Sequence, residues 1–416
     1  MKKLPELLAP AGSLKKVEVA LAYGADAIYC GIPDFSLRAR ENEFSLTDLR
    51  KARALTHSAK KKLYLTINTY PRAGELKKLE SFLKHVRSIK PDAIIFSDPG
   101  VLRLLKKNLP KVKLHLSVQA NTVNPESVRF WYAQGVRRVI LARELSLREI
   151  TEIHKKVPRI ELECFVHGAI CMSYSGRCLL SLYLTNRDAN RGLCTQPCRW
   201  HYKLGSRFQV LGSRSPSLEE EKRKGEYFPL EEDSHGSYIL NSKDLCLIEK
   251  IPQLMRAGVS AFKIEGRHKS VGYLATITRA YRKALDDFVV GNKFDRKLWK
   301  EIYSTGNREF TLGFFDGSQK DLQNYTRSGS ENTQSFLGLV EEKKDNSFLL
   351  EPKNRFQKGD KIEAVIPHGG ALSARVKNIF SENFKKMRTA HGGPKEKVWI
   401  ELGIKNLPEF TLIRKC

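Results

Sequence analysis

Eight cysteines mark the 416-residue chain, at positions 30, 164, 171, 178, 194, 198, 246 and 416, and five of them fall between Cys164 and Cys198. Thiols this close can act together, as thiolate ligands to a soft metal or as a redox pair. Disulfide frameworks belong to small secreted domains rather than to a large chain of this kind, so metal or redox chemistry is the stronger expectation. The spacing Cys171-x6-Cys178-x15-Cys194-x3-Cys198 offers four ligands. Structural zinc sites favour pairs roughly two to four residues apart, which only the second pair satisfies. The C-x3-C-x2-C run of radical enzymes is absent. On spacing, an iron–sulfur cluster and a zinc ion both stay open. Gly168, Ser175, Gly176 and Gly192 would let backbone approach such a centre. Cys164 lies within an apolar run and reads as a small core residue. Cys246 is a reserve ligand, Cys30 ends a strand, and Cys416 is terminal.

Something must hold these thiols in place. Apolar, β-branched runs alternate with helical patterns eight times: Leu7–Pro10, Ala27–Gly31, Leu63–Asn68, Ala93–Ser97, Lys113–Val118, Arg138–Ala142, Ile160–Val166 and Ala261–Glu265. Alternation of this kind gives right-handed βαβ units and a parallel sheet. Eight units within residues 1–290 match a (β/α)8 TIM-like barrel in α/β class, in both count and size. A doubly wound sheet is the alternative, but Ala9–Ser13 (APAGS) does not fit the G-x-G-x-x-G loop. The regular spacing breaks once, at an insertion over 169–243 between strand seven and a helix expected from Asp244 to Ala257. Barrel enzymes place their chemistry in the loops after the strands, so the insertion should project from the catalytic face. Its polar second half, Gly205 to Tyr238, reads as an exposed excursion or flexible lobe.

A connector, 291–334, leads to period-two patterns over 335–416: Phe336–Val340, Ser347–Leu350, Lys361–Ile366, Leu372–Ile379, Lys397–Leu402 and Thr411–Ile413. These read as a small C-terminal antiparallel β-barrel domain. Lys and Arg number 73 against 46 Asp and Glu, a formal net charge of +27. So large an excess favours a polyanionic partner, nucleic acid first. No run approaches the roughly 20 apolar residues of a membrane span, and Met1–Glu6 has no apolar stretch of a signal peptide. A cytoplasmic protein with no membrane partner is expected.

The run Glu163–Cys171 (ECFVHGAIC), followed by Ser175–Ser181 (SGRCLLS), resembles the signature of the collagenase-like peptidase family U32. The flanks agree: Glu6–Gly12, Gly24–Tyr29, Asn241–Leu245 and Lys263–Arg267. Cys194–Trp200 (CTQPCRW) and the β-domain are similar to a tRNA-hydroxylating branch of that family. This resemblance implies hydroxylation of the wobble uridine of tRNA to 5-hydroxyuridine, with prephenate rather than molecular oxygen as co-substrate. It also implies a [4Fe–4S] cluster on Cys171, Cys178, Cys194 and Cys198, with Cys246 as the substitute fourth ligand. tRNA, a small dianion and the iron–sulfur assembly machinery become the expected partners. Arg143, Arg177, Lys263 and Arg267 are the cations placed to bind a dianion, and His115, Gln119 and Glu265 the catalytic candidates, with Asn68 and Glu144 nearby. Arg199, Trp200 and Lys203 have the basic and aromatic character of an RNA contact.

Two rival readings accompany this one. A collagenase-like peptidase would need a nucleophile or a metal motif, yet H-E-x-x-H is absent and no G-x-S-x-G is evident at a strand–helix turn. Cys164 and His167, three apart on a strand, should face opposite sides. A zinc-stabilised, non-catalytic RNA-binding protein is the other.

Overall fold

The structure, a computed structural model, describes residues 4–37, 44–171, 173–175, 177–200, 242–317, 322, 333–393 and 396–415, with backbone segments 202–205, 217–220, 227–229, 232–233 and 236–237. Seven strands pair in parallel in chain order: β1 (Glu6–Ala11), β2 (Ala27–Gly31), β3 (Lys62–Ile67), β4 (Ala93–Phe96), β5 (Lys113–Leu116), β6 (Arg138–Ile140) and β7 (Glu161–Ala169). A short β8 (Asp244–Cys246) runs antiparallel along the end of β7. Then β9 (Val259–Ile264) pairs in parallel with both β7 and β1, which closes an eight-stranded barrel. Strands buried on both faces read as continuous apolar runs, and all six residues of β1 are buried.

The helices owe their starts to caps that the sequence carries. Ser45 and Asp48 form a capping box at α2 (Leu46–Ser58), as Ser146 and Glu149 do at α6 (Leu147–Lys156). Asp98 caps α4 (Pro99–Asn108) and Asn124 caps α5 (Pro125–Ala133), each with proline in the first turn, where its missing N–H costs nothing. Together with α1 (Leu14–Ala22), α3 (Leu76–Ile89) and α9 (Val271–Val289) they surround the barrel wall.

The segment after the insertion differs from expectation. Asp244–Cys246 is strand rather than helix start, because its backbone groups pair with β7 and with β10 (Phe310–Thr311). The helix α8 is correspondingly short, Ile251–Arg256. Within the expected excursion, Tyr202–Gly205 pairs antiparallel with Ser217–Glu220, which pairs with Tyr227–Pro229. Residues 291–334 include α10 (Lys297–Tyr303) besides β10.

The C-terminal sheet is antiparallel, with β11 (Ser335–Lys344) at its centre. The early part of β11 pairs with the final strand, Leu412–Lys415, and its later part with Ser347–Leu350. The run expected as one strand from Leu372 to Ile379 divides into Ala371–Arg375 and Asn378–Ser381, which pair with different partners, Lys361–Val365 and Val398–Glu401. This sheet docks on the barrel through α1 and α9, where Val19, Tyr23 and Ala275 meet Leu339, Val365 and Leu412. Gly272 lies so close to the Phe336 ring that a Cβ would sit 2.7 Å from it. The Tyr23 hydroxyl accepts from Leu412 N–H at 3.1 Å and lies 3.0 and 2.9 Å from the carbonyls of Val365 and Phe410. Tyr23→Phe would strand three backbone groups of the C-terminal sheet at this junction. We expect a loss of roughly 1–3 kcal/mol, read as a lower urea midpoint.

Candidate active site at the barrel mouth

The floor of the site is an ion network inside the barrel. Glu163 on β7, 0% exposed, receives Arg138 Nη1 at 3.1 Å and Lys263 Nζ at 2.9 Å. Arg138 on β6 also reaches Glu6 on β1 at 2.7 Å and Glu161 at 2.6 Å. Tyr64 on β3 donates to Glu6 at 2.7 Å. Five strands, β1, β3, β6, β7 and β9, are thus joined across the axis by charge-assisted bonds. Burial works against the charge on Arg138, but Glu163 and Glu6 hold its pKa well above the ordinary value. Burial likewise opposes ionisation of Glu6, and Arg138 and Lys62 hold its pKa below the usual carboxylate value. Burial lowers the pKa of Lys263 despite its bond to Glu163.

His115 sits in this layer and not at the mouth, which corrects its placement as a catalytic candidate. Its ring meets Tyr64 edge-on at 4.8 Å, and it is absent from the lining of the cavity above. Burial, then the charges of Arg138 and Lys263, push its pKa well below the ordinary histidine value. Gln119, four residues on, has left the strand for a short helical turn, Val118–Ala120, and does reach the cavity.

The cavity opens above the network, at the C-terminal ends of the strands. Tyr29, Thr66, Asn68, Ser117, Gln119, Arg143, Phe165, Lys263, Glu265 and Arg267 line it from the barrel. Cys171, Cys178, Cys194 and Cys198 line it from the insertion. The spacing of the thiols along the chain therefore becomes convergence on one space. Glu265 accepts from the Gly266 N–H at 2.6 Å and from Tyr29 OH at 3.4 Å. Arg267 bonds the Leu37 carbonyl and Thr66 Oγ1. Arg143 lies 4.0 Å from the Phe165 ring centroid and bonds the Ala169 carbonyl, while its Nε is buried without a hydrogen-bond partner. Gln119 Oε1 is orphaned in the same way, on a side chain only 2% exposed. Buried polar atoms without partners are uncommon in folded proteins, and these two flank a cavity that a polar ligand could fill. Glu6, Arg138, Glu163 and Ser117 lie in expected strands or motifs but are not among the expected site residues. The available signal was charge inside apolar strand runs.

The remaining candidates fall in different places. Arg177 is exposed, with its guanidinium 5.5 Å from the Tyr70 ring. Glu144 accepts from Ser175 N–H at 3.1 Å and so ties the insertion to the loop after β6. Trp200 is half-buried, and its indole N–H donates to the Thr195 carbonyl at 3.2 Å. The side chains of Arg199 and Lys203 lie outside the described residues. Cys246 is placed apart from the other four cysteines, because β8 turns it to the helix side, 3.7 Å from Tyr281 OH. Gly168 has φ +104, and a Cβ there would lie 2.6 Å from the Glu265 carbonyl. Its small size serves the approach of two strand ends rather than of a metal.

Four thiols opening onto one cavity are a donor set that zinc and iron–sulfur clusters both use. Among the described residues, no group of three His, Cys, Asp or Glu side chains is gathered to hold a metal ion, as a tetrahedral zinc with Zn–S bonds of about 2.3 Å would need. The Gln196 N–H donates to Cys194 Sγ at 3.4 Å, the kind of bond that tunes a sulfur ligand.

A register shift in the pairing of β7 with β9, between Phe165 and His167, alters one premise. Cys164 packs into the barrel–helix core, and His167 also faces the helices, against Tyr273 and Tyr281. They do not face opposite sides as simple alternation predicts. Burial raises the Cys164 thiol to about 12 and depresses His167 to about 3. Both are neutral at pH 7, the reverse of a thiolate–imidazolium pair.

Comparison with known proteins is decisive on ancestry. Residues 12–324 match Peptidase family U32, and 332–414 match the Peptidase family U32 C-terminal domain. The chain belongs to the peptidase U32 family. Among U32 relatives, it is similar to the Escherichia coli (strain K12) protein named tRNA hydroxylation protein P, with 44% identity over 393 residues, 88% of this chain and 87% of that one. It is 35% identical over 401 residues to a Porphyromonas gingivalis protein named Collagenase, covering 90% and 89% of the two chains. A third, the E. coli protein named 23S rRNA 5-hydroxycytidine synthase, shares 34% identity over 285 residues, 68% of this chain and 40% of that one. The family thus includes names of two chemistries, and site geometry must argue between them.

The network predicts stability directly. Glu163→Gln leaves Arg138 and Lys263 facing a neutral amide. The expected cost is roughly 3–5 kcal/mol, read from urea unfolding with an unchanged slope.

The histidines predict a pH dependence. His115 and His167 have folded pKa values below the unfolded value of about 6.5. Below that pH the unfolded chain takes up protons that the folded chain refuses, so stability falls with pH, for His167 down to about 3. Unfolding free energies from urea titrations between pH 7.0 and 5.5 should fall by about 1.4 kcal/mol per pH unit per histidine once well below the unfolded pKa. A flat profile would contradict the buried neutral histidines.

Proposed function

We propose that this protein is an RNA-modifying enzyme that hydroxylates the wobble uridine of tRNA to 5-hydroxyuridine, using a [4Fe–4S] cluster and prephenate. The observation that carries the proposal is the opening of four cysteine thiols onto the same cavity as Gln119, Arg143, Glu265 and Arg267. Support comes from the U32 relatives named for hydroxylation of tRNA and of 23S rRNA. Cys171, Cys178, Cys194 and Cys198 would hold the cluster, which supplies one-electron chemistry when bound. The finer points, cluster and prephenate, rest on the donor set and the family resemblance.

The chain's own residues have definable parts. Arg143, with an unused buried N–H, would take a carboxylate of the dianion. Arg267 stands on the same lining and adds positive potential. Glu265, beside the Tyr29 hydroxyl, is placed to accept a proton released in the cavity. Gln119 offers an unpaired carbonyl oxygen to an N–H of the substrate. The ion network beneath seals the barrel interior and fixes the floor. A peptidase reading finds no ionised nucleophile in Cys164 and His167.

Deletion of the gene in cells grown without oxygen, followed by nucleoside mass spectrometry of bulk tRNA, tests the proposal. Without oxygen, an oxygen-dependent route cannot supply the same nucleoside. Nucleosides derived from 5-hydroxyuridine should disappear, return with the parent gene, and stay absent with Cys194→Ser. Anaerobically purified parent protein should contain iron and acid-labile sulfide, and the Cys194→Ser protein much less of both. An unchanged nucleoside profile in the deletion strain would rule the proposal out.

A further inference from the structure

The loop that turns its thiols inward presents a second set of side chains outward. Tyr174 is 57% exposed, Leu179 64% and Tyr183 84%. Large apolar groups at the surface are ordinary when isolated, but these three fall within ten residues of one another. Leu179 and Tyr183 are joined by the Tyr183 N–H bond to the Leu179 carbonyl at 2.9 Å, so they are neighbours on one face of the turn leading into α7 (Leu180–Thr185). Tyr174 sits in the preceding turn, its carbonyl accepting from Arg177 N–H at 2.8 Å.

Their location gives them meaning. Cys178 and Leu180, interleaved with this set, line the cavity, so the exposed side chains belong to the segment that borders it. Arg177 is exposed beside them, and its guanidinium reaches the ring of Tyr70, whose hydroxyl bonds the Gln119 carbonyl at 2.6 Å. Arg187, also exposed, follows α7. Aromatic faces interspersed with arginines at the edge of a cavity, on a chain of net charge +27, match an anionic partner that also carries flat rings.

We propose that Tyr174, Leu179 and Tyr183 form a stacking rim for the unpaired bases of an RNA loop, holding nucleotides that flank the one entering the cavity. The proposal rests on the RNA reading above and adds the surface that selects looped over paired RNA. Phosphates meet Arg177 and Arg187, and the bases, free of a helix, lie against the tyrosines. Duplex RNA buries its base faces in its own stack and has none to offer.

Fluorescence anisotropy with full-length protein tests this. The probes are an unmodified anticodon stem–loop and a blunt RNA duplex of equal length. Tyr174→Ser and Tyr183→Ser should each weaken stem–loop binding by about fivefold or more and leave duplex binding within about twofold, while Tyr183→Trp restores the loop preference. Both tyrosines are exposed, and matching thermal midpoints verify that the variants fold. Unchanged stem–loop affinity, or equal loss on both probes, overturns the stacking rim. So does a change from dimer to monomer in sedimentation, which would make the patch a self-interface. If the parent binds neither RNA, the RNA reading itself fails, separately from the rim.

Discussion

Glu163 is the residue on which the architecture turns. It is fully buried on β7 and bonded to Arg138 of β6 and Lys263 of β9. A parallel barrel usually fills its interior with branched aliphatic side chains. Here one layer is ionic. Charges this deep are costly unless each is paired in good geometry, and the pairs span β1, β6, β7 and β9. The network therefore ties the closure of the barrel to the satisfaction of its charges. It also sets the height at which the active-site cavity begins.

Above that floor, two chemically different linings meet. The strand ends contribute polar groups and arginines, and the insertion contributes thiols. The Ser175 N–H bond to Glu144 ties the insertion to the mouth, and the Ser242 Oγ bond to the Ile170 carbonyl joins its two ends. The β-domain sits elsewhere, on α1 and α9, held by an apolar seam and by the Tyr23 hydroxyl.

Much of this was legible in advance. The βαβ alternation identified the barrel because strand periodicity and helix caps are local properties. The cysteine spacing and its flanks marked the site, and Gln119, Arg143, Glu265 and Arg267 do line the cavity. Other positions escaped because they depend on pairing between distant segments. Asp244–Cys246 resembles a helix start until β7 and β10 are there to bind its backbone. His115 and Gln119 look alike as polar residues near a strand end, yet one is locked within the floor and the other reaches the cavity. The facing of Cys164 and His167 followed a register shift that alternation alone does not reveal.

By itself, then, the sequence determined the barrel, the β-strand character of the C-terminal region and the clustering of thiols in the insertion. These follow from hydrophobic period, capping chemistry and residue type, all read over short windows. Only the tertiary structure decided that the thiols share one cavity with the arginines, that Cys246 stands apart, and that Glu163 balances two cations on the axis. Those outcomes depend on which strands become neighbours and in what register, and a one-residue change of register turns a side chain to the other face.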